Sequence, residues 1–311
     1  GLGSKVDQYG NIVAYIPGED PNSLPLALVA HMDHPGFETV MPQESNLICN
    51  VLGGVPAASF EPGVPLQVIL KEGLRLPAVT AGPLGGKSSG QILISLKGPL
   101  DLELPRPVVF DLIDFQVDAG FIWMRAADDL AGCGAILAAL KEIASHPPPG
   151  DVYGVFTRAE EVGLVGARLL AKSGILPRET FVVSVESSRV LPGAEQGGGP
   201  VIRVGDASMT FNAEAEAVLI RARESLQAER AGFPVQRQLM SGGVCEASAF
   251  AQYGYRTTGI AFPLGNYHNN PLDGGVEAEY IQIDDFLGGI QLMKEAAYWA
   301  GERDNMALAR R

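Results

Sequence analysis

Two shortages in the sequence exclude whole classes of protein. The 311 residues include only three cysteines, Cys49, Cys133 and Cys245, with no Cys-x-x-Cys pair. This odd and widely spaced set is not a disulfide framework, so we expect reduced thiols in a cytoplasmic protein. The sequence has no run of about eighteen apolar residues that could cross a membrane, and its start does not resemble a secretory signal. Because the chain begins with Gly1 instead of Met, we expect a trimmed or processed form.

Positive charge is also scarce. Lysine and arginine total 23 against 36 aspartate and glutamate residues, which gives a formal net charge of -13. Nucleic acids and anionic membrane surfaces both attract basic protein surfaces. The composition therefore predicts that neither nucleic acid nor membrane is a partner.

Apolar residues are plentiful and follow a regular plan. They make up 46% of the chain, which is typical of a globular protein long enough for one large or two smaller domains. In both outer parts of the chain, short apolar runs typical of buried strands alternate with helix-like segments. This alternation predicts an α/β fold with a mostly parallel, mixed sheet sandwiched by helices.

The pattern predicts individual elements in both parts of the fold. Strands are expected at 11–16, 26–30, 65–70, 91–96, 108–115, 121–124, 151–157, 180–185 and 256–262. Helices are expected at 130–145, 166–172, 213–231, 247–253 and 283–299. The helices all lie after residue 119, and this uneven distribution divides the chain.

The middle of the chain differs from its two flanks. Residues 38–118 are rich in glycine and proline, carry short strand-like pieces and have no convincing amphipathic helix. We expect a small inserted β domain, barrel-like in form, within a larger domain built from 1–37 and 119–311. The alternative, a set of long loops, is disfavoured because structureless loops of that length are rare in compact domains.

Acidic and histidine residues stand at the ends of the predicted strands. Asp128 and Asp129 are adjacent at the start of helix 130–145, where an isolated pair would be read as helix caps or solvated acids. Further acids and histidines follow other strands, namely His31, Asp33, Glu160, Glu161, Glu186 and His268. Open α/β sheets place their sites at the carboxyl ends of parallel strands. We therefore expect these side chains to meet.

The residue types in this set suit two divalent metal ions. Two ions that share one bridging carboxylate need about two further protein ligands each. Two imidazoles and three carboxylates supply them: His31, Asp128, Glu161, Glu186 and His268. Three carboxylates and a bridging hydroxide would balance the four positive charges. The ligand types suit zinc, cobalt or manganese, with zinc as the first expectation.

Two acids remain for other tasks. Because neighbouring residues at a strand end point in different directions, Glu161 can bind metal while Glu160 faces the bridging water. Glu160 would then be a general acid/base that takes the proton of the attacking water and delivers it to a leaving amine. Asp33, two residues beyond His31, would orient the imidazole of His31.

These residues carry a resemblance to a known family. The segments 7–11, 30–33, 128–133, 156–167 and 267–268 resemble the glutamyl-aminopeptidase family of metallopeptidases, which includes the tetrahedral aminopeptidases of the dinuclear zinc exopeptidase group. The most specific part is Glu-Glu-Val-Gly-Leu-Val-Gly-Ala at 160–167. The resemblance covers most of the chain, including the position of the inserted domain.

The resemblance implies an enzyme that removes amino-terminal residues from peptide substrates. It implies that His31 and Glu186 hold one metal, that Glu161 and His268 hold the other, and that Asp128 bridges them. It also implies that Glu160 is the general acid/base, with Asp33 as the partner of His31, and that the peptide bond after Asp128 is cis. Relatives form large cytoplasmic homo-oligomers, often of twelve subunits, so the inserted domain would serve oligomerisation or act as a lid.

Some positions depart from the family pattern. Glu186 stands where close relatives have Asp, and Leu130 stands where they have Arg. The family segment Gly-Gly-Thr-Asp-Ala is replaced by Gly-Gly-Val-Cys-Glu-Ala at 242–247. These changes leave the preferred amino-terminal residue open. They also leave two alternatives: a related metal-dependent carboxypeptidase or deacylase, and a non-catalytic oligomeric scaffold.

Overall fold

The computed structural model describes residues 3–86, 90–96 and 102–301. Each of the predicted ranges 1–37, 38–118 and 119–311 includes a few residues outside these. The strands are β1 (Gly3–Val6), β2 (Ile12–Ile16), β3 (Leu26–His31), β4 (Gly36–Gln43), β5 (Asn46–Leu52), β6 (Pro65–Ile69), β7 (Arg75–Pro83), β8 (Gln91–Leu96), β9 (Pro107–Phe110), β10 (Gln116–Asp118), β11 (Phe121–Met124), β12 (Val152–Thr157), β13 (Phe181–Arg189), β14 (Val201–Gly205), β15 (Gln236–Leu239), β16 (Arg256–Gly265) and β17 (Glu279–Gln282). The helices are α1 (Ala127–Ile143), α2 (Val165–Ser173), α3 (Ala213–Glu229), α4 (Glu246–Gln252) and α5 (Ile283–Ala300). Short 3-10 turns span Ala57–Phe60, Lys71–Gly73 and Tyr267–Asn269.

One large mixed sheet forms the centre of the molecule. Its strand order is β1-β2-β12-β3-β13-β16-β17-β11-β10, with β14 and β15 attached beside β16. The central strands β12, β3, β13 and β16 are parallel, and the strands on both edges of this order pair antiparallel. The parallel registers pair Thr157 with His31 and Ser184 with Val29. The carboxyl ends of β3, β12 and β13 therefore lie along one edge.

Helices cover both faces of this sheet, as the alternation of elements predicts. α1, α3 and α5 pack on one face, where Ile136, Leu140 and Leu219 join strand residues such as Leu28 in one core. α2 and α4 pack on the other face around Val29 and neighbouring residues. Because both faces are covered, all six residues of β3 are buried. Burial of each large apolar side chain contributes about 1.5–3 kcal/mol, which explains the continuous apolar run in the sequence.

The stretch between β3 and α1 contains a closed barrel. Its strands follow the order β4-β5-β8-β7-β6-β9, and β9 closes on β4 through Phe37 and Val108. Alternate residues point inward, so that Phe37, Leu47 and Phe110 belong to a separate core. The expected barrel-like insertion is confirmed. Within the predicted range 38–118, residues 116–118 instead pair with β11 in the large sheet.

The helices were compared with the length and apolar character of a membrane-spanning segment. In the part of the chain that the structure describes, no helix combines the length and the apolar character that crossing a membrane requires.

Candidate metal centre

The predicted site residues converge at the carboxyl edge of the parallel strands. His31 is the last residue of β3, and Glu186 lies in the carboxyl-terminal half of β13. Asp128 lies at the start of α1, where its peptide bond to Asp129 is cis. The other three site residues lie in turns. Glu160, the candidate acid/base, and Glu161, a candidate ligand, follow β12, and the candidate ligand His268 follows β16.

Three of these residues form what we call the inner group: His31, Asp128 and Glu186. Their ligand atoms lie within 4.8 Å of one another. Nε2 of His31 is 3.2 Å from Oδ1 of Asp128 and 3.4 Å from Oε1 of Glu186. All three residues are buried. The inner group is thus a set of one imidazole and two carboxylates with little exposure to solvent.

Three residues form the outer group: Asp128, Glu161 and His268. Their ligand atoms also lie within 4.8 Å of one another. Nε2 of His268 is 3.6 Å from Oδ2 of Asp128 and 3.4 Å from Oε1 of Glu161. Glu161 and His268 are half-buried. Asp128 thus presents Oδ1 to His31 and Oδ2 to His268, so that its carboxylate stands between the two groups.

A backbone carbonyl fixes each imidazole from behind. Nδ1–H of His31 donates to the backbone oxygen of Asp33 at 2.9 Å. Nδ1–H of His268 donates to the backbone oxygen of Gly54, which belongs to the barrel, at 3.0 Å. In both rings this leaves Nε2 turned toward Asp128. Such contacts set the tautomer and the direction of a metal-binding imidazole.

The carboxylate of Asp33 has a different position from the one expected. It lies 3.8 Å from Nδ1 of His31, beyond hydrogen-bond distance. Its two oxygens instead accept the backbone N–H groups of Glu160 at 3.0 Å and of Glu161 at 3.1 Å. A carboxylate prefers these two donors because charge-assisted bonds to N–H groups are strong. Asp33 therefore orients His31 only through its main chain, while its side chain fixes the turn that carries both glutamates.

Charge interactions between these groups are large because most of them are buried. Burial alone would lower the pKa of His31, but the carboxylates of Asp128 and Glu186, which accept hydrogen bonds from the protonated ring, raise it well above its usual value. Burial would raise the pKa of Asp128, but His268 and His31 lower it below its usual range. Burial and then Glu186 raise the pKa of Glu160 to about 10, and burial and then Asp128 raise the pKa of Glu161 to about 8. A nearby cation would lower the pKa of both glutamates because it favours their ionised forms.

Buried carboxylate oxygens that lack a hydrogen-bond donor provide a second reason to expect divalent cations at this site. Among the residues described, Oε1 of Glu161 in the outer group is a buried oxygen that accepts no hydrogen bond. Such an oxygen costs free energy unless a partner is present. Oε2 of Glu186 in the inner group also accepts no hydrogen bond, but the buried guanidinium group of Arg203 lies 3.7 Å from it. Each group therefore offers carboxylate and imidazole atoms that a divalent ion would satisfy.

The two groups open onto a cleft of about 370 Å³. Glu160 lines this cleft without belonging to either group, although its carboxylate also lies within 4.8 Å of ligand atoms of His31 and Glu161. The cleft is lined by Asp128, Glu160, Glu161, Gly163, Leu164, Arg168, Glu186, Gly243, Val244, Tyr267 and His268. Acidic side chains and the imidazole of His268 thus face a space open to solvent.

The residues that depart from the family pattern differ in whether they line the cleft. Val244 lines the cleft, next to Gly243, which matches the family pattern. Glu246 does not, because it is fully buried and accepts a hydrogen bond from Oγ1 of Thr157. Burial raises the pKa of Glu246 to about 8. Leu130 is partly exposed at the start of α1 and does not line the cleft.

Sequence reasoning missed a buried acid next to the ligands. Oε2 of Glu279 accepts the backbone N–H of Asp128 at 2.9 Å, and Oε1 accepts the backbone N–H of His268 at 2.7 Å. The side chain is fully buried. Nothing in the local pattern around Glu279 sets it apart from the neighbouring Glu277. Its role appears only in the folded chain, where strand β17 lies beside the turn that carries His268.

The turn that carries His268 has an unusual backbone. Asn266, His268 and Asn269 have φ angles of 53°, 56° and 58°. This left-handed conformation costs about 1 kcal/mol or more for residues other than glycine. Side-chain bonds hold the turn, since Nδ2 of Asn266 donates to the oxygen of Ala278 and Nδ2 of Asn269 donates to the oxygen of Arg125.

Comparison with known proteins agrees with this geometry. A putative aminopeptidase from Acetivibrio thermocellus is 26% identical over 312 residues, covering 94% of this chain and 87% of that protein. Structures of the TET1 peptidase from Pyrococcus horikoshii align with a TM-score of 0.77 and 26% identity, covering 96% of this chain and 89% of theirs. An aminopeptidase from the archaeon Desulfurococcus kamchatkensis shares the fold, with a TM-score of 0.79 at 22% identity over 96% of this chain and 87% of its own.

The similarity to these aminopeptidases in sequence and in fold places the chain among the hydrolases of the exopeptidase class. The family model of the M42 glutamyl aminopeptidases matches residues 103–290, which is more than half of the chain. The chain belongs to that family. The resemblance carried by the sequence motifs is thereby confirmed, and membership implies divalent metal ions as cofactors.

Proposed function

We propose that this protein is a dinuclear-metal aminopeptidase that hydrolyses amino-terminal residues from peptides. The inner group would hold one divalent ion and the outer group the other, with zinc as the first candidate and cobalt or manganese as alternatives. The observation that carries the proposal is the position of Asp128, whose two oxygens each face a different imidazole. When bound, two divalent ions would polarise the peptide carbonyl and lower the pKa of a water molecule in the cleft.

The chain's own residues account for the proton transfers. Glu160 lines the cleft and is free of both groups, so its carboxylate can take a proton from the attacking water. The same carboxyl group then delivers that proton to the leaving amine. Asp33 supports this role because its carboxylate fixes the backbone N–H of Glu160.

The test begins with metal content. Protein purified without chelator is assayed for metal per chain and for hydrolysis of a panel of aminoacyl anilides, before and after metal removal and replacement. We expect about two divalent ions per chain and activity that is lost and regained with them. No tightly held metal, together with no activity after zinc, cobalt or manganese is added, would favour the oligomeric scaffold instead.

The same assay separates the enzymatic alternatives. An aminopeptidase needs a free amine at the residue before the scissile bond, so the acetylated anilide should be inert. The changed residue Val244, which lines the cleft, keeps a carboxypeptidase or deacylase as the alternative. Cleavage of acetylated substrates or of carboxy-terminal residues in preference to free aminoacyl anilides would establish that alternative.

We also propose a homo-oligomer, with a dodecamer as the assembly to test. Support comes from the TET1 peptidase of Pyrococcus horikoshii, which was solved as a dodecamer and can assemble into a tetrahedron or a large octahedral shell. The barrel, the main part of the inserted domain, would provide subunit contacts or a lid. Light scattering of the purified chain would give the subunit number. A cytoplasmic location fits the three free, buried cysteines.

A further inference from the structure

Glu279 is a buried acid that the proposed mechanism does not use. It is fully buried, and its two oxygens accept N–H groups from two different parts of the chain. Those N–H groups belong to Asp128 and His268, which are two of the three residues of the outer group. One carboxylate therefore connects the main chains of two candidate ligands that are far apart in the sequence.

The connection matters because of the turn at 266–269. His268 has a φ of 56°, and its neighbours Asn266 and Asn269 also take the left-handed conformation. A turn with three such residues persists only when its surroundings hold it. The bond from the N–H of His268 to Oε1 of Glu279, at 2.7 Å, acts at the candidate ligand itself.

The inner group has no comparable dependence. His31 lies in the regular strand β3, and Glu186 lies in β13, so ladder hydrogen bonds hold both main chains. Glu279 touches the inner group only through the N–H of Asp128. Loss of the Glu279 carboxylate should therefore disturb the outer group more than the inner group.

We propose that Glu279 is a positioning residue that sets the place of His268 relative to Asp128, so that the second metal ion binds tightly only when this carboxylate is intact. The inference rests on the proposed dinuclear function. It makes Glu279 act through His268 and not on the substrate.

The chain offers a matched control. Asp285 is also fully buried, and its carboxylate also accepts two backbone N–H groups, from Gly197 at 2.9 Å and from Gly199 at 2.7 Å. It contacts none of the candidate ligands through these bonds. Asp285→Asn should therefore reproduce the general loss of stability of Glu279→Gln without its effect on metal.

The first experiment measures metal affinity by competition with a chromophoric chelator, which does not depend on activity. For Glu279→Gln we expect the more weakly held ion to lose about 10–100-fold in affinity. We expect the affinity for the other ion to change by no more than about twofold. For Asp285→Asn both affinities should match those of the unaltered protein, although thermal unfolding shifts to a similar extent.

A second experiment assigns the affected ion. In a His268→Ala background, Glu279→Gln should have no further effect on metal affinity, because the ligand that it positions is gone. In a Glu186→Gln background, Glu279→Gln should still lower the affinity for the remaining ion. Full additivity in the His268→Ala background would show that Glu279 acts elsewhere and would overturn the proposal.

The outcomes separate this inference from the proposed function. If the unaltered chain binds two ions and Glu279→Gln binds both equally well, the inference is wrong and the dinuclear function stands. If the unaltered chain binds no ion, the proposed function fails and this inference fails with it. If Glu279→Gln does not fold, Glu279→Asp keeps the carboxyl group on a shorter side chain. We then expect a smaller weakening of the second ion, and unchanged binding would contradict the inference.

Discussion

The inner and outer groups use similar side chains but are built in different ways. The inner group takes His31 and Glu186 from neighbouring parts of the central parallel sheet, and all of its members are buried. The outer group takes Glu161 and His268 from turns, and both are half-buried. Strand pairing holds His31 and Glu186, whereas Glu161 and His268 are held by single hydrogen bonds that they donate to oxygens of Asp33, Gly54 and Glu279.

This difference shows how a site can combine rigidity with access. Ligands at strand ends are placed by the pairing of the whole sheet, so their positions are well determined. Ligands in turns depend on a few contacts, but they can stand at the mouth of a cleft where a substrate enters. The barrel contributes to the outer group through the backbone oxygen of Gly54, so the insertion takes part in building the site.

Removal of the shared carboxylate should abolish the difference between the groups. Asp128→Ala takes one ligand from each group, so we expect both ions to be lost and hydrolysis of aminoacyl anilides to fall to background. Metal analysis after gel filtration checks this result. Glu186→Gln is the comparison, because it leaves the outer group complete. Retention of one tightly held ion by Asp128→Ala would show that Asp128 does not bridge.

Replacement of the proposed acid/base should separate chemistry from metal binding. For Glu160→Gln we expect kcat to fall by about 10²–10⁴-fold, because the proton acceptor and donor is lost. Both ions should remain bound, since Glu160 belongs to neither group. The exposed Glu19, changed to Gln, serves as the control with normal activity. Full activity of Glu160→Gln would refute the assigned role.

A change in the barrel should affect the outer group alone. A Cβ added at Gly54 would lie 2.9 Å from Nδ1 of His268, so the ring must shift. For Gly54→Ala we expect the affinity for the second ion to fall by about tenfold or more while the first ion is unaffected. Chelator competition measures both. Gly134→Ala in α1 is the control, because a Cβ there meets nothing within 4 Å. Equal weakening of both ions would contradict this prediction.

The smallest expected effect is the contribution of Glu246 to the pH dependence of the free energy of unfolding. Burial raises the pKa of Glu246 to about 8, so between pH 4.5 and 8 the folded protein keeps a proton that the unfolded chain releases. The free energy of unfolding then falls as pH rises through this window, by at most about 1.4 kcal/mol per pH unit from this group. Glu246→Gln should make the decline less steep in urea unfolding of the metal-free protein. Parallel curves for the two proteins would rule out a titrating Glu246.

The elements that were predicted well are those with a strong periodic pattern. The strand expected at 26–30 is β3, and the strand expected at 121–124 is β11. The helix expected at 283–299 is α5. Strands expected at 180–185 and 256–262 extend to Arg189 and Gly265, because β13 and β16 pair with each other over nine positions. Such lengthening depends on a partner strand, which a local pattern does not reveal.

The candidate ligands were predictable for a related reason. His31, Asp128, Glu161, Glu186 and His268 stand at the ends of recognisable elements, and their residue types are those that metals prefer. The half-buried Asp33 and the buried Glu279 are harder to interpret from the sequence. The position of Asp33 predicts a partner for the ring of His31, but its side chain holds the turn at Glu160 and Glu161 instead. No local pattern indicates the role of Glu279.

The sequence by itself determined the fold class, the barrel-like insertion and the set of candidate metal ligands, because periodicity and residue chemistry are local properties. The tertiary structure alone decided what holds those side chains. Gly54 is 214 positions from His268, and Glu279 is 151 positions from Asp128. Contacts across such distances form only when the sheet and the barrel have both folded, since each hydrogen bond needs its two partners in place within about 3 Å.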